Sequence, residues 1–159
     1  MPVISKQCRM AKSANDVWGA IFAATNIYPA AMPLLITGIR VTSRDGVTAG
    51  SIREITFGNA VGPTVTHATE QITRVDHGTR TIESTFNNDR NFVGKHFRSA
   101  SLVVRVDPNN ADDGPNSAGS TIYWTLTHSW ISTTASNGFN LEGFWTAIED
   151  GFRALDTYN

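Results

Sequence analysis

Apolar and polar positions follow three different rhythms along this chain, and each rhythm predicts a different element. After a short alternating opening, Ser13-Ala14-Asn15-Asp16 carries the signature of a helix start, and Val17, Trp18, Ile21 and Phe22 follow at helical spacing. Pro29 and Pro33 confine a second helix within Asn26 to Pro33 to a brief one bent away from the first, because proline lacks an amide hydrogen and crowds the preceding turn. From Leu35 onward Ile, Val, Thr and Phe dominate, broken by the turn formers Asp45-Gly46, Gly58, Asp76-His77-Gly78 and Asn87-Asn88-Asp89. This punctuation predicts antiparallel strands over about 36–43, 51–57, 64–75, 79–87 and 95–106, with a last one from Thr121 to Ser132. Between them, Pro108 to Gly119 is dense in Asn, Asp, Gly and Ser and is expected as a solvated hairpin tip. Asn137-Gly138 and Asp112-Asp113-Gly114 read as turns.

Helical spacing returns at the C-terminus, where Phe139, Leu141, Phe144, Trp145, Ile148, Phe152 and Leu155 share one face and Glu142, Glu149, Asp150 and Arg153 the other. So aromatic a face needs an apolar partner, and the concave side of a single curved sheet supplies one. The predicted fold is therefore α+β: a seven-stranded antiparallel curved sheet wrapped on a long C-terminal helix, with two short helices after the first strand.

Composition narrows the function. The 159 residues are 40% apolar and 17% charged, which fits a single globular domain over 1–159. A net charge of -1 gathers no phosphates, so nucleic acid is not an expected partner. The lone Cys8 builds no disulfide framework and reads as a small buried hydrophobe. The opening MPVISKQCRM has no secretory apolar run and no later stretch reaches the roughly 18 apolar residues of a membrane span, so a cytoplasmic chain, with the nucleus as a further compartment, is expected. Four histidines without ligand spacing give no reason to expect a metal, and no cofactor motif is present.

Four motifs in order carry a family resemblance. Ser43 to Gly58, SRDGVTAGSIREITFG, is similar to the glycine-rich loop and following strand of the plant pathogenesis-related class ten proteins. Arg74-Val-Asp-His-Gly78 matches a turn between the next two strands of that family, Tyr123-Trp-Thr-Leu126 resembles a strand of the major latex proteins, and the chain closes in a family-like Asp-Thr-Tyr-Asn159. The chain thus resembles the pathogenesis-related class ten, major birch pollen allergen and major latex protein family of the START-like helix-grip superfamily. One departure is plain: Val47, Thr48 and Ala49 stand where the family has a denser glycine cluster. β-branched residues resist the inward-turned backbone of a phosphate cradle, so a plain tight turn is expected there.

The resemblance implies an internal cavity entered near the short helices and the long helix. Aligned on the motifs, strand alternation puts Arg53, Ile55 and Phe57 inward, then Val65 and His67, Ile82 and Ser84, with Glu54, Glu70 and Glu83 facing water. Ala100, Leu102, Val104 and Val106 also point in, as do Trp124, Leu126 and His128, while Arg105 and Tyr123 point out. Ile21, Phe22 and Tyr28 from the short helices, with Phe144, Trp145 and Ile148 from the long one, complete the candidate ligand-binding set. Alternation alone describes an ordinary solid core equally well. His67 and His128 are the inward groups able to exchange hydrogen bonds or protons, or else they are satisfied core histidines. Arg53 would face an acidic ligand or reach to solvent.

The function so implied is binding, storage or transport of a small hydrophobic or amphipathic plant metabolite, such as a flavonoid, a cytokinin-like or another hormone-like compound, by a monomer linked to defence or stress. An alternative is a small enzyme of specialised metabolism catalysing condensation, cyclisation or isomerisation with His67 and His128 as acid and base. A third reading docks a phosphatase on the glycine-loop surface.

Overall fold

A computed structural model describes residues 2–61, 64–131 and 139–158. Strand β1 (Val3–Met10) leads into helices α1 (Ala14–Phe22) and α2 (Ala24–Ala31). Strands β2 (Ile36–Ser43), β3 (Ile52–Phe57), β4 (His67–Asp76), β5 (Thr81–Asn87), β6 (Phe97–Pro108) and β7 (Ser120–Trp130) follow, and helix α3 (Leu141–Leu155) comes last. The seven strands form one antiparallel sheet in the order β1-β7-β6-β5-β4-β3-β2. This is the expected α+β arrangement. Ser132 and the Asn137-Gly138 turn lie outside the described residues.

Local chemistry sets the element ends. Ser13 caps α1 by accepting the Asp16 amide on its hydroxyl, and the Asn140 side chain accepts Gly143 N at 2.9 Å to start α3. Pro29 sits inside the eight-residue α2 and keeps it short. At the other end of α3, the Asp156 carboxylate accepts the amides of Ala11 and Lys12 at 2.8 and 2.9 Å, tying the C-terminus to the link between β1 and α1. The 109–119 tip is solvated as expected, with no residue of it buried, and it is tied back at two points: Asn15 N donates to Pro115 O and Gly119 N to Ala11 O, each at 2.9 Å.

Helix α3 lays Phe144, Trp145, Ala147, Ile148, Gly151, Phe152 and Leu155 on the concave face of the sheet. Trp124 of β7 meets the rings of Trp145 and Phe152 at 6.1 and 5.0 Å between centroids. Phe92 is the hub of a second cluster, with Phe97, Phe86 and Phe144 at 4.9, 5.1 and 5.7 Å. These aromatics fill much of the space that a wholly hollow sheet would leave.

Candidate functional site

Between α2, strands β2 to β6 and α3 there remains an apolar hollow of about 90 Å³. Tyr28 and Met32 approach it from the α2 side, Leu35, Ile36 and Ile39 from β2 and the residue before it, and Arg53, Ile55 and Phe57 from β3. Glu70, Phe86 and Leu102 close it along β4 to β6, and Phe144, Ile148 and Phe152 roof it from α3. A groove of about 240 Å³ lies outside, lined by Ala31, Pro33, Leu34, Ala60, Ala147, Asp150, Gly151 and Ala154 together with Met32 and Leu35. Met32 and Leu35 therefore form a wall shared by the hollow and the groove. They close against α3 at Gly151, where a Cβ would stand 2.9 Å from Met32 Sδ and 3.0 Å from Leu35 Cδ2.

The register of β3 on β4 decides the chemistry. Arg53 pairs with Glu70 and Ile55 with Ala68, so 68, 70 and 72 share the concave face and Glu70 is buried at 5% exposure. Glu70 was expected in water and His67 inside; both are corrected. Val65 is buried but lies before the strand, and the Thr66 and His67 amides both donate to Asn91 Oδ1, at 2.8 and 3.0 Å. Alternation counted from Val65 across that irregular stretch comes out one residue wrong, which exchanges the faces. Parity counted from Ala68 and Ile72 was the signal that would have found Glu70.

Glu70 is held at both oxygens. Arg53 donates from Nε and Nη2 to Oε1 at 2.9 and 2.5 Å, and Ser84 Oγ donates to Oε2 at 2.6 Å. Burial alone would pull the Arg53 pKa down, but the Glu70 carboxylate more than offsets it and leaves the guanidinium more firmly protonated than usual. Burial pushes the Tyr28 phenol well above its ordinary range, with Arg53 opposing and Glu70 adding, so Tyr28 stays neutral.

Neither histidine lines the hollow. The His67 side chain is 40% exposed on the outer face, 3.9 Å from Asp89 Oδ2. His128 is buried edge-on between Phe97 and Trp130, its Nδ1 has no hydrogen-bond partner among the described residues, and burial lowers its pKa. The two do not converge, so the acid–base pair that the enzyme alternative required is not assembled. Of the remaining expected residues, Tyr28, Arg53, Ile55, Phe57, Leu102, Phe144 and Ile148 line the hollow and Ser84 supports it. Val65, Ile82, Ala100, Val104, Trp124, Leu126 and Trp145 are buried in the core and do not line the hollow, and Ile21 and Phe22 pack away from it, Phe22 against His77 at 5.0 Å. Met32, Leu35, Ile36, Ile39, Phe86 and Phe152 were missed, because which inward residue touches space depends on its neighbours' volumes.

The glycine loop is closed on itself. Asp45 Oδ1 accepts the Val47 and Thr48 amides and the Thr48 hydroxyl, each at 2.9 Å, and the Ser51 hydroxyl at 3.1 Å. Those bonds pull the Asp45 pKa to about 2, and they spend on a resident carboxylate the amides a phosphate would need.

No family model matches the sequence, and neither does any curated protein. Solved structures do. A major latex-like protein 151 from Panax ginseng superposes with a TM-score of 0.76 at 14% identity, over 98% of this chain and 96% of that one. A truncated norcoclaurine synthase from Thalictrum flavum gives 0.73 at 17% identity over 99% and 94%, and Ara h 8.0201 gives 0.70 at 14% over 99% and 96%. The chain has the helix-grip fold of these proteins. The agreement runs nearly end to end in both directions, so the helix-grip architecture accounts for the whole of the described chain.

Proposed function

We propose that this chain is a ligand carrier of the pathogenesis-related class ten and major latex type, holding a small, mainly apolar metabolite in the hollow beneath α3. The observation that carries this reading is the apolar space under α3 with one polar pole, Arg53, Glu70 and Tyr28, set among Ile39, Ile55, Leu102 and Ile148. Affinity would rest on buried apolar area, at about 25 cal/mol per Å² before the costs of ordering.

At about 90 Å³ the hollow is smaller than the roughly 150 Å³ cavity known to admit benzene, so a flavonoid-sized guest requires Met32 and Leu35 to yield and join hollow to groove. Met32, with its flexible thioether, is suited to that movement. Catalysis in the same space loses its histidines, and Glu70, bonded at both oxygens, is no free base. The self-satisfied loop around Asp45 is assigned no protein partner.

The test is uptake of the neutral fluorophore N-phenyl-1-naphthylamine, with native mass spectrometry of protein from its source for a co-purified molecule. Saturable binding that falls at least about tenfold in Leu102→Trp, which fills the hollow, is expected. Absence of both uptake and a co-purified molecule would sink the carrier reading.

A further inference from the structure

The polar pole of the hollow is made of charges that already cancel. Arg53 and Glu70 face each other across β3 and β4, with side chains 7% and 6% exposed. The carboxylate is covered, two guanidinium N–H groups on Oε1 and the Ser84 hydroxyl on Oε2. The guanidinium is not. Its Nη1 makes no hydrogen bond among the described residues, and it is not one of the sealed partnerless polar atoms, which include Trp124 Nε1 and Trp145 Nε1. Nη1 therefore keeps accessible surface, and Arg53 belongs to the wall of the hollow. A guanidinium does not give up its proton, so these two N–H groups call for an acceptor from whatever occupies the space.

The charge of that acceptor follows from electrostatics. The sequence alone allowed Arg53 to attract an acid, but its positive charge is already matched by Glu70. An added carboxylate would leave one negative charge uncompensated among Ile39, Ile55 and Leu102, and desolvating it costs more than the leftover attraction returns. A neutral carbonyl oxygen takes the same N–H bonds without that penalty. Tyr28, kept as a neutral phenol by its burial, adds no charge and offers a second donor.

We propose that the cavity, widened by the same yielding of Met32 and Leu35, selects a neutral compound of about one ring bearing a carbonyl-type oxygen, seated on Arg53 Nη1, in preference to the corresponding carboxylate. This rests on the carrier reading above, and the two fail in distinguishable ways.

Three ligands of matched shape separate them by calorimetry at pH 7: α-methylstyrene, acetophenone and benzoate. Acetophenone is expected to bind about tenfold tighter than α-methylstyrene, as a charge-assisted hydrogen bond implies, and at least about tenfold tighter than benzoate. Glu70→Gln leaves the pole positive, so benzoate should overtake acetophenone. The double variant Arg53→Met/Glu70→Leu removes both charges and guards against misfolding of the single one; in it acetophenone should fall to within about twofold of α-methylstyrene. If α-methylstyrene enters the wild type and acetophenone binds no tighter, or benzoate binds as well as acetophenone, this inference is overturned and the carrier reading stands. Uptake of none of the three overturns both.

Discussion

The two halves of the interior use the same sheet and the same helix, yet one is solid and the other is not. At β7, Trp124 meets Trp145 and Phe152, and Phe92 gathers Phe97, Phe139 and Phe144 nearby. Toward β2 to β4 the inward residues are Ile39, Ile55, Arg53 and Glu70, and space remains. Curvature is common to both regions, so side-chain volume decides where a guest fits. Filling one half with rings also supplies the stability that leaves the other free to stay incompletely packed.

Truncation should break the comparison most sharply. Trp124→Ala is expected to cost about 4 kcal/mol in urea denaturation, because a fully buried ring leaves a void in solid core. Leu102→Ala, beside space that already lacks partner atoms, should cost only about 2 kcal/mol and enlarge the hollow. Equal costs would mean that both halves are packed alike.

Next in size is the polar pole. Glu70→Ala strands Arg53 in an apolar setting and should cost about 3 kcal/mol, while Arg53→Met/Glu70→Leu should be close to neutral. A double variant as damaged as the single one would show that the pair holds the fold together, not merely the ligand.

The smallest effect is a pH slope from the solid half. The folded-state pKa of His128 is lowered by burial, so the unfolded chain binds the extra proton. Stability should therefore be full above the ordinary histidine value near 6.5 and decline as pH falls below it, until the folded-state pKa is also passed. His128→Leu should flatten this slope in thermal melts at pH 5 to 7; an unchanged slope would place the titration elsewhere.

Much of this was legible in the linear chain. Ser13 announces α1, Pro29 shortens α2, and the aromatic stripe from Phe144 to Phe152 demands a concave partner, because capping and periodicity act over a few residues. The inward assignment of Arg53, Ile55 and Phe57 was legible as well, its alternation phased by the resemblance of the motifs. Glu70 and His67 were exchanged because the phase of β4 depends on the hydrogen bonds to Asn91, a residue some two dozen positions later.

What the sequence by itself determined is the order of elements, the sheet wrapped on a helix, and the apolar character of the inner face. Only the tertiary structure decided that Trp124 and Trp145 meet while Leu102 and Ile148 do not close the gap, and that Arg53 spends its charge on Glu70. The physical reason is one of range. Periodicity and capping are properties of neighbours in the chain, whereas a void and a buried ion pair are set by the volumes and register of strands and helices far apart in it.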